Sequence, residues 1–290
     1  MGLKEQLTQW GRKLTGRRKA PTIPDALWHN TIAELPFLAD LSAAERQRLR
    51  ALAEAFLAQK EFFGANGQDI NDAMGVSIAA QACLIVLHMQ PLDVPPAQAL
   101  AVFQDFVTIV IHPGEVLALR EWVDDIGVVH QGHEALIGEA AEDGPVTLSW
   151  SEIERAGSAA AEGTNVVIHE FVHKLAMQGP RFDGLPGECP RLPVGFMNSR
   201  SAREAIEQWF SVLQPAFESF QDQVALADRF GEAPPWLDGY GATSINEFFP
   251  VTCEAYFVNR TRFQRTFPKL IDLYDALFRV AAASGGQHAG

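Results

Sequence analysis

Two histidines lie four residues apart in the stretch VIHEFVHKL (residues 167–175), and a glutamate directly follows the first of them. Residues four apart share one face of a helix, so His169 and His173 can direct both imidazoles at a single metal ion. Glu170 is turned by about 100° from His169 and can reach a water molecule on that ion. Imidazole nitrogens are common zinc ligands, and a carboxylate beside them can act as a general base. The spacing therefore predicts a zinc-binding helix that carries its own general base.

The alternative is an ordinary buried helix whose histidines belong to the core and whose glutamate faces solvent. By average residue usage, a chance HExxH pattern in a chain of this length has a probability on the order of 1%. Either Thr164 or Asn165 can cap the helix. Apolar residues such as Val167, Phe171 and Leu175 would bury it and hold the histidines rigidly. These features favour the zinc site.

A catalytic zinc ion needs a third protein ligand and an open position for water. The extended metzincin pattern HExxHxxGxxH is not met, because Ala176 and Gly179 occupy its glycine and last histidine positions. The third ligand must therefore lie elsewhere in the chain. The downstream glutamates in helical contexts are Glu204, Glu207, Glu218, Glu247 and Glu254.

The surroundings of these glutamates separate them. Glu204 and Glu207 lie in a charged segment that reads as a solvated helix face. Glu247 and Glu254 are seven residues apart and share one face of a strongly apolar helix at residues 244–257. A buried carboxylate needs a partner cation or a metal ion. The residue chemistry leaves both of these glutamates as candidates.

Several motifs resemble those of the Mlc titration factor A family of bacterial zinc peptidases, in the gluzincin group. The matching stretches are WVDDIGVVH (residues 122–130), VTLSW (146–150), residues 165–175, and YGAT (240–243) leading into EFFPV (247–251). The resemblance as a whole extends over residues from about 25 to 280, and HEFVHKL and YGAT-x3-EFF are its specific motifs. In the family an aspartate tends to follow HKL, where this chain has Ala176.

The resemblance implies a ligand set and a function. It implies that His169, His173 and Glu247 bind one Zn(2+) per chain, that Glu170 is the general base and that Tyr240 assists catalysis. It also implies aminopeptidase activity on a peptide substrate. The family is named after a member that sequesters a transcriptional repressor, which suggests a repressor protein as partner.

The remaining carboxylate of the apolar helix needs another role if Glu247 is the ligand. We expect Glu254 either to orient a zinc ligand from behind or to pair with an arginine such as Arg260.

Two functional classes remain open. In the first, the protein is a zinc peptidase. In the second, it is an interaction protein that binds a regulator through its helical N-terminal half, and zinc mainly supports the fold. Glu170 favours the peptidase, because a purely structural zinc site needs no general base.

The surrounding elements are helical first, then β-rich, then helical again. The capping-box pattern at residues 42–45 predicts a helix over 43–59, and a second, buried helix is expected over about 69–89. Short β-rich runs at 106–111, 126–129, 135–137 and 146–150 predict a small mixed or antiparallel sheet. Residues 146–150 are the expected edge strand, along which an extended peptide could add by backbone hydrogen bonds.

The predicted fold class is α+β, predominantly helical: a zincin-like catalytic domain with a small sheet and an HExxH helix, preceded by a helical N-terminal region. Four segments are expected. They are a basic amphipathic tail (1–22), the helical N-terminal region (23–105), the metallopeptidase domain (106–280) and a disordered tail (281–290). Residues 1–20 could make weak, salt-sensitive contact with an anionic membrane surface or fold back onto the acidic body.

Composition narrows the classes of function. The chain has 290 residues, 47% of them hydrophobic, and a net charge of −13. Residues 1–20 contribute +5, so the other residues carry −18, which argues against direct nucleic-acid binding. The chain has three cysteines and no CxxC pattern, and neither a secretory signal nor a transmembrane run is recognisable. We therefore expect a cytoplasmic protein.

Overall fold

The computed structural model describes residues 22–114, 117–123, 129–135, 144–180 and 184–280. Its helices are, in chain order, α1 (Asp25–Glu34), α2 (Ala43–Gln59), α3 (Asp72–Val86), α4 (Pro96–Ala99), α5 (Trp150–Ala159), α6 (Val166–Ala176), α7 (Ala202–Phe230), α8 (Ile245–Val258), α9 (Arg260–Thr266) and α10 (Pro268–Phe278). Its strands are β1 (Glu61–Gly64), β2 (Thr108–His112), β3 (Leu117–Val123), β4 (Val129–Ala135) and β5 (Val146–Ser149). The fold is predominantly helical α+β, as the sequence predicts.

Some predicted segments lie outside the described residues. They are residues 1–21 of the N-terminal tail, the C-terminal tail (281–290), and most of the predicted strands at 126–129 and 135–137. Among the residues that the structure describes, no helix is both long and apolar enough to cross a membrane.

Helix α2 confirms the predicted capping box. The Ser42 hydroxyl accepts from the Glu45 N–H at 3.2 Å, and the Glu45 carboxylate accepts from the Ser42 N–H at 2.7 Å. Both interactions satisfy backbone donors that the first turn of a helix leaves unpaired. The apolar residues that follow at helical spacing, Leu49, Leu52 and Phe56, are fully buried. The local pattern therefore sets both the start of α2 and the face that it buries.

Helix α3 is shorter than the helix predicted over 69–89. It begins at Asp72 because the Asn71 side chain caps it by accepting from the Met74 N–H at 3.0 Å. Its last residue is Val86, and turns follow it up to residue 89. The helix is buried over most of its surface and packs against α1, α2 and α6. It is thus a core helix that lies directly against the helix of the two histidines.

The principal sheet has the order β1-β2-β5, and all three strands are parallel. This corrects the prediction of a mixed or antiparallel sheet, which fits only the antiparallel β3–β4 hairpin. Parallel strands need long connections, and the chain between β1 and β2 includes the whole of α3. Strand β1 was not predicted, because its four residues directly follow α2 without a glycine or proline to separate them.

Strand β5 is at the edge of this sheet in the part of the chain that the structure describes. Its inward residues Val146 and Leu148 are buried beside Ile109 and Ile111 of β2. The chain passes from β5 directly into α5 and then through a short 3-10 turn to Gly163. A β-carbon on Gly163 would lie 2.9 Å from the Trp236 ring, and its φ is +82°, so only glycine fits here. This turn leads the chain into α6.

Helix α6 packs against α3, α5, α8 and strand β5. One continuous hydrophobic core includes residues from α2 and α3 as well as from α6, α8 and α10. The division at residues 105 and 106 remains a prediction. The packing places the α6 histidines between the N-terminal helices and the C-terminal helical layer.

Candidate metal centre

Helix α6 is held in place by its N-terminal cap and by the packing around it. Of the two predicted capping residues, Asn165 is the cap: its side-chain oxygen accepts from the Ile168 N–H at 3.0 Å. Every residue of the helix from Val167 to Ala176 is buried. The Phe171 ring packs against those of Phe56, Phe103 and Phe106, with centroids 5.1 to 5.7 Å apart. Close packing on this scale fixes the direction of the polar side chains on α6.

Three potential ligand atoms from α6 and α8 converge. Nε2 of His169 lies 3.1 Å from Nε2 of His173, and Oε2 of Glu247 lies 3.2 Å from the first and 3.1 Å from the second. Both histidines are buried, and the Glu247 side chain is 18% exposed. Glu247 lies 74 positions after His173 in the sequence, so only the packing of α6 on α8 brings it to the two histidines.

The shape of this triangle fits a zinc ion. Ligand atoms at about 2.0–2.1 Å from a tetrahedral zinc ion are roughly 3.3 Å apart, close to the three separations of 3.1 to 3.2 Å. The three atoms also have the right chemistry, because two neutral imidazoles and a carboxylate can all offer lone pairs. Acceptors this close together repel unless a proton or a metal cation lies between them.

Helix α8 presents Glu247 through its own cap. The Ser244 hydroxyl accepts from the Glu247 N–H at 3.2 Å, which places Glu247 in the first turn of the helix. Hydrogen bonds from His169 and His173 lower the pKa of Glu247 to about 2, although burial alone would raise it. The carboxylate is therefore ionised and ready to bind a cation.

Glu254, the other candidate, lies behind His169 and outside the triangle. Its Oε1 accepts from Nδ1 of His169 at 2.7 Å, and its Oε2 accepts from the Asn165 N–H. The alternative partner was wrong: Arg260 pairs with Asp275 at 2.6 Å. A carboxylate that accepts from Nδ1–H leaves the lone pair on Nε2, so Glu254 selects the tautomer of His169 that can bind a metal.

The two histidines titrate in opposite directions. Burial disfavours the charged form of His169, but hydrogen bonds to Glu247 and Glu254 outweigh it and raise the pKa well above its usual value. Burial lowers the pKa of His173, and the single hydrogen bond to Glu247 does not overcome it. A metal ion binds neutral imidazoles, so binding at this site would release a proton from His169.

Glu170 is almost fully buried, at 2% exposure. Burial raises its pKa to about 8, with Glu247 and Glu254 adding to the effect and His169 opposing it. Its Oε1 has no hydrogen-bond partner among the described residues. Burying a carboxyl oxygen without a hydrogen-bond partner is energetically unfavourable, which indicates a functional role for Glu170 at the site.

Tyr240 lies in a 3-10 turn, Gly239–Ala242, that packs on α7 and α8. The Asp238 side chain fixes the turn by accepting from the Tyr240 N–H at 2.9 Å. The Tyr240 ring is partly buried, and its centroid is 6.4 Å from that of the His169 ring. The turn thus brings this tyrosine beside the triangle of ligand atoms from His169, His173 and Glu247, which we call the metal triangle.

Two polar residues near the site were not predicted. Lys174, next to His173, is fully buried, and its Nζ donates to the carbonyl of Gly144 just before β5. Gln81 of α3 is also fully buried and accepts from the Asn165 side chain at 2.7 Å. In the sequence, the only signal for Gln81 is a polar residue inside the apolar run of α3.

Sequence comparison finds similar proteins along almost the whole chain. The family described as glucose-regulated metallo-peptidase M90 matches residues 7–279. A protein named Mlc titration factor A from Salmonella arizonae is 32% identical over 256 residues, which cover 88% of this chain and 91% of the relative. The protein of that name from Salmonella choleraesuis is 32% identical over 267 residues, covering 89% of this chain and 90% of the relative. The one from Enterobacter sp. (strain 638) is 32% identical over 252 residues, covering 86% and 84%.

Proposed function

Because the chain belongs to the glucose-regulated M90 metallopeptidase family, which it shares with Mlc titration factor A, we propose that it is a zinc-dependent peptidase. In this proposal His169, His173 and Glu247 hold one zinc ion per chain. The observation that carries it is the triangle of two imidazole nitrogens and one carboxylate oxygen with sides of 3.1 to 3.2 Å. A triangle of this size fits one face of a tetrahedral zinc site.

Glu170 acts as the general base. A bound zinc ion would act as a Lewis acid and would lower the pKa of a water molecule bound to it to roughly 7. Glu170 accepts a proton from the attacking water and passes it to the leaving amine. The unpartnered Oε1 and the burial of this carboxyl group support that role. Burial raises the pKa of Glu170 in the metal-free protein. A zinc cation bound nearby would lower this pKa and favour the carboxylate form that accepts a proton.

Tyr240 stabilises the negative charge that develops on the carbonyl oxygen during attack. Its ring lies beside His169, on the turn that precedes α8. A hydroxyl that donates to the developing oxyanion lowers the barrier without strengthening ground-state binding. The resemblance to the Mlc titration factor A family, which implies that Tyr240 assists catalysis, supports this assignment.

The substrate is a peptide, and an aminopeptidase-like preference follows from the same resemblance. Strand β5 has a free edge in the described part of the chain and leads through α5 to α6. An extended peptide can pair with such an edge through its backbone. The fold thereby offers a surface that holds a peptide independently of its side chains.

We place the protein in the cytoplasm, where its three free, widely spaced cysteines would stay reduced. Its acidic body argues against direct nucleic-acid binding. The names of its relatives refer to titration of Mlc, and on that ground we propose a transcriptional regulator as protein partner. The second candidate function is binding of that regulator by a protein whose zinc site is mainly structural. Weak membrane-surface contact through residues 1–20 is proposed separately, and cosedimentation with anionic vesicles at low and high salt tests it.

The test is a comparison of zinc-loaded wild type with Glu170→Gln on amino-acid p-nitroanilides and short peptides. We expect wild type to cleave at least one class of substrate, and Glu170→Gln to keep its zinc and lose cleavage. If the variant cleaves as fast as wild type, Glu170 is not the base. If zinc-loaded wild type cleaves nothing while binding a regulator, the interaction function replaces the peptidase.

A further inference from the structure

A buried series of polar groups leads away from the metal triangle into the N-terminal helices. It consists of three side chains, which we call the polar chain: Glu254 on α8, Asn165 at the start of α6, and Gln81 on α3. All three residues are buried: Asn165 is 3% exposed, Glu254 is 7% exposed and Gln81 is 0% exposed. One end of the polar chain is the hydrogen bond to His169.

Gln81 is a buried polar residue in an otherwise apolar helix, so its amide needs hydrogen-bond partners. Helix α3 is otherwise almost entirely apolar over its buried length. An amide in such surroundings is unfavourable unless hydrogen bonds replace those that it made to water. Gln81 makes these bonds to Asn165 on one side and to Ser77 on the other.

The amide orientations in the polar chain determine one another. The Ile168 N–H can only donate, so Asn165 must present Oδ1 to it, at 3.0 Å, and turn Nδ2 towards Gln81. Gln81 must then present Oε1 to that Nδ2, at 2.7 Å. Its own Nε2 is left to donate to the Ser77 carbonyl at 3.2 Å. Each of these contacts pairs a donor with an acceptor, and reversing one amide would break the next contact.

Asn165 transmits this constraint to the metal ligand. Its side chain caps α6, and its backbone N–H donates to Oε2 of Glu254. The second oxygen of Glu254 accepts from Nδ1 of His169 at 2.7 Å. Holding Asn165 therefore fixes both the start of the helix that carries His169 and the carboxylate that orients its ring.

We propose that Gln81 is a positioning residue for the metal site, which it orients through Asn165 and Glu254. This inference rests on the proposed function, because it assumes that His169 binds zinc. It makes α3 part of the apparatus that presents His169, and α3 packs directly on α6. Groups behind a metal-ligating histidine typically change metal affinity by about 10- to 100-fold.

The experiment measures the zinc dissociation constant of the full-length protein by competition with a chelator. Gln81→Met keeps a similar length and volume but removes the hydrogen bonds to Asn165 and Ser77. The matched control is Ile85→Ala, at a fully buried position of the same helix that has no polar side-chain atoms. Thermal unfolding of the metal-free proteins shows how far each variant loses stability.

We expect Gln81→Met to weaken zinc binding by roughly 10-fold, while Ile85→Ala, which lowers the melting temperature of the metal-free protein, stays within about twofold of wild type. Gln81→Glu keeps an oxygen that accepts from Asn165. This variant should therefore retain most of the zinc affinity that Gln81→Met loses. A residue that served only to stabilise the core would not separate zinc affinity from melting temperature in this way.

A double variant tests the route. If Gln81 acts through Glu254, the loss caused by Gln81→Met should shrink in a Glu254→Gln background. Fully additive losses would overturn the route through Glu254. If Gln81→Met does not fold, Asn165→Ser tests the same contact, because serine keeps a capping oxygen and the backbone N–H, while its shorter side chain lacks the amide N–H that reaches Gln81. We then expect the same weakening of zinc binding.

The possible failures are distinguishable. If wild type binds no zinc, the proposed function itself is wrong. If wild type binds zinc and Gln81→Met binds it as tightly as Ile85→Ala does, the positioning role of Gln81 is wrong and the zinc site stands.

Discussion

Oε1 of Glu254 accepts a hydrogen bond from Nδ1 of His169 at 2.7 Å, across a gap of 85 residues in sequence. The contact joins α8 to α6 directly behind the metal triangle. When the His169 imidazole is neutral, this contact leaves its lone pair on Nε2, the atom that faces His173 and Glu247. The two glutamates of α8 thus have different tasks, although seven residues place them on one face of the helix.

Variants of these two glutamates should differ in zinc retention. Glu247→Ala removes a proposed ligand and should leave less than half of the wild-type zinc after dialysis. Glu254→Ala removes only the group behind His169, so zinc should remain bound with an affinity about 10- to 100-fold weaker. Metal analysis of the dialysed proteins and chelator competition measure both quantities. The opposite pattern, with Glu254→Ala losing the metal and Glu247→Ala keeping it, would make Glu254 the ligand.

The histidines of α6 give a second prediction. Purified wild type should hold about one zinc ion per chain, and His169→Ala or His173→Ala should lose it, because two remaining protein ligands bind zinc weakly. Glu170→Gln is the matched control, since it changes a buried polar residue of the same helix without removing a proposed ligand. Metal analysis after gel filtration decides the matter. Zinc retained in full by both histidine variants would exclude the triangle as the metal site.

What the sequence predicts correctly is mostly local. The capping box at Ser42 and Glu45 and the cap at Asn165 depend on residues three positions apart. The shared face of His169 and His173 depends on a spacing of four. These relationships follow from the geometry of one helix, so composition and spacing were enough.

What the sequence could not predict is long-range pairing. Asn165 meets Gln81 across 84 residues, and Arg260 pairs with Asp275 instead of Glu254. The parallel register of β2 and β5 likewise depends on which strands the intervening chain brings together. A single sequence contains no local signal for such choices, because several polar partners would satisfy each group equally well. Only the packing of the helices selects one.

Replacing Tyr240 should affect the rate more than binding. In Tyr240→Phe the ring remains in the turn beside His169, but the hydroxyl proposed to stabilise the transition state is lost. Removal of one oxyanion donor typically lowers kcat by about 100-fold or more, with little change in KM. Zinc content should equal that of wild type. Steady-state kinetics on the best p-nitroanilide substrate measure the effect, and an unchanged kcat would leave Tyr240 a purely structural residue.

The buried Lys60 should make stability depend on pH above neutrality. It is 4% exposed, donates to the carbonyls of Phe103 and Phe106, and lies 3.7 Å from the centroid of the Phe106 ring. Burial lowers its pKa from 10.5 to about 8, although Asp105 opposes the shift. Between these two values the unfolded chain binds a proton that the folded protein has released. The contribution of Lys60 to the free energy of unfolding therefore rises with pH across this window, because stability increases wherever the unfolded state binds more protons.

Lys60→Met removes the titrating group and is the reference for this effect. From pH 7 to pH 9.5, we expect the free energy of unfolding of wild type to increase relative to that of Lys60→Met by on the order of 1 kcal/mol. Denaturant unfolding of both metal-free proteins at the two pH values measures the difference, and taking the difference cancels other groups that titrate equally in both. If the two proteins change in parallel, Lys60 has the same pKa in the folded and unfolded states. The ammonium group would then be stabilised by its two carbonyl acceptors and the Phe106 ring as well as it is by water.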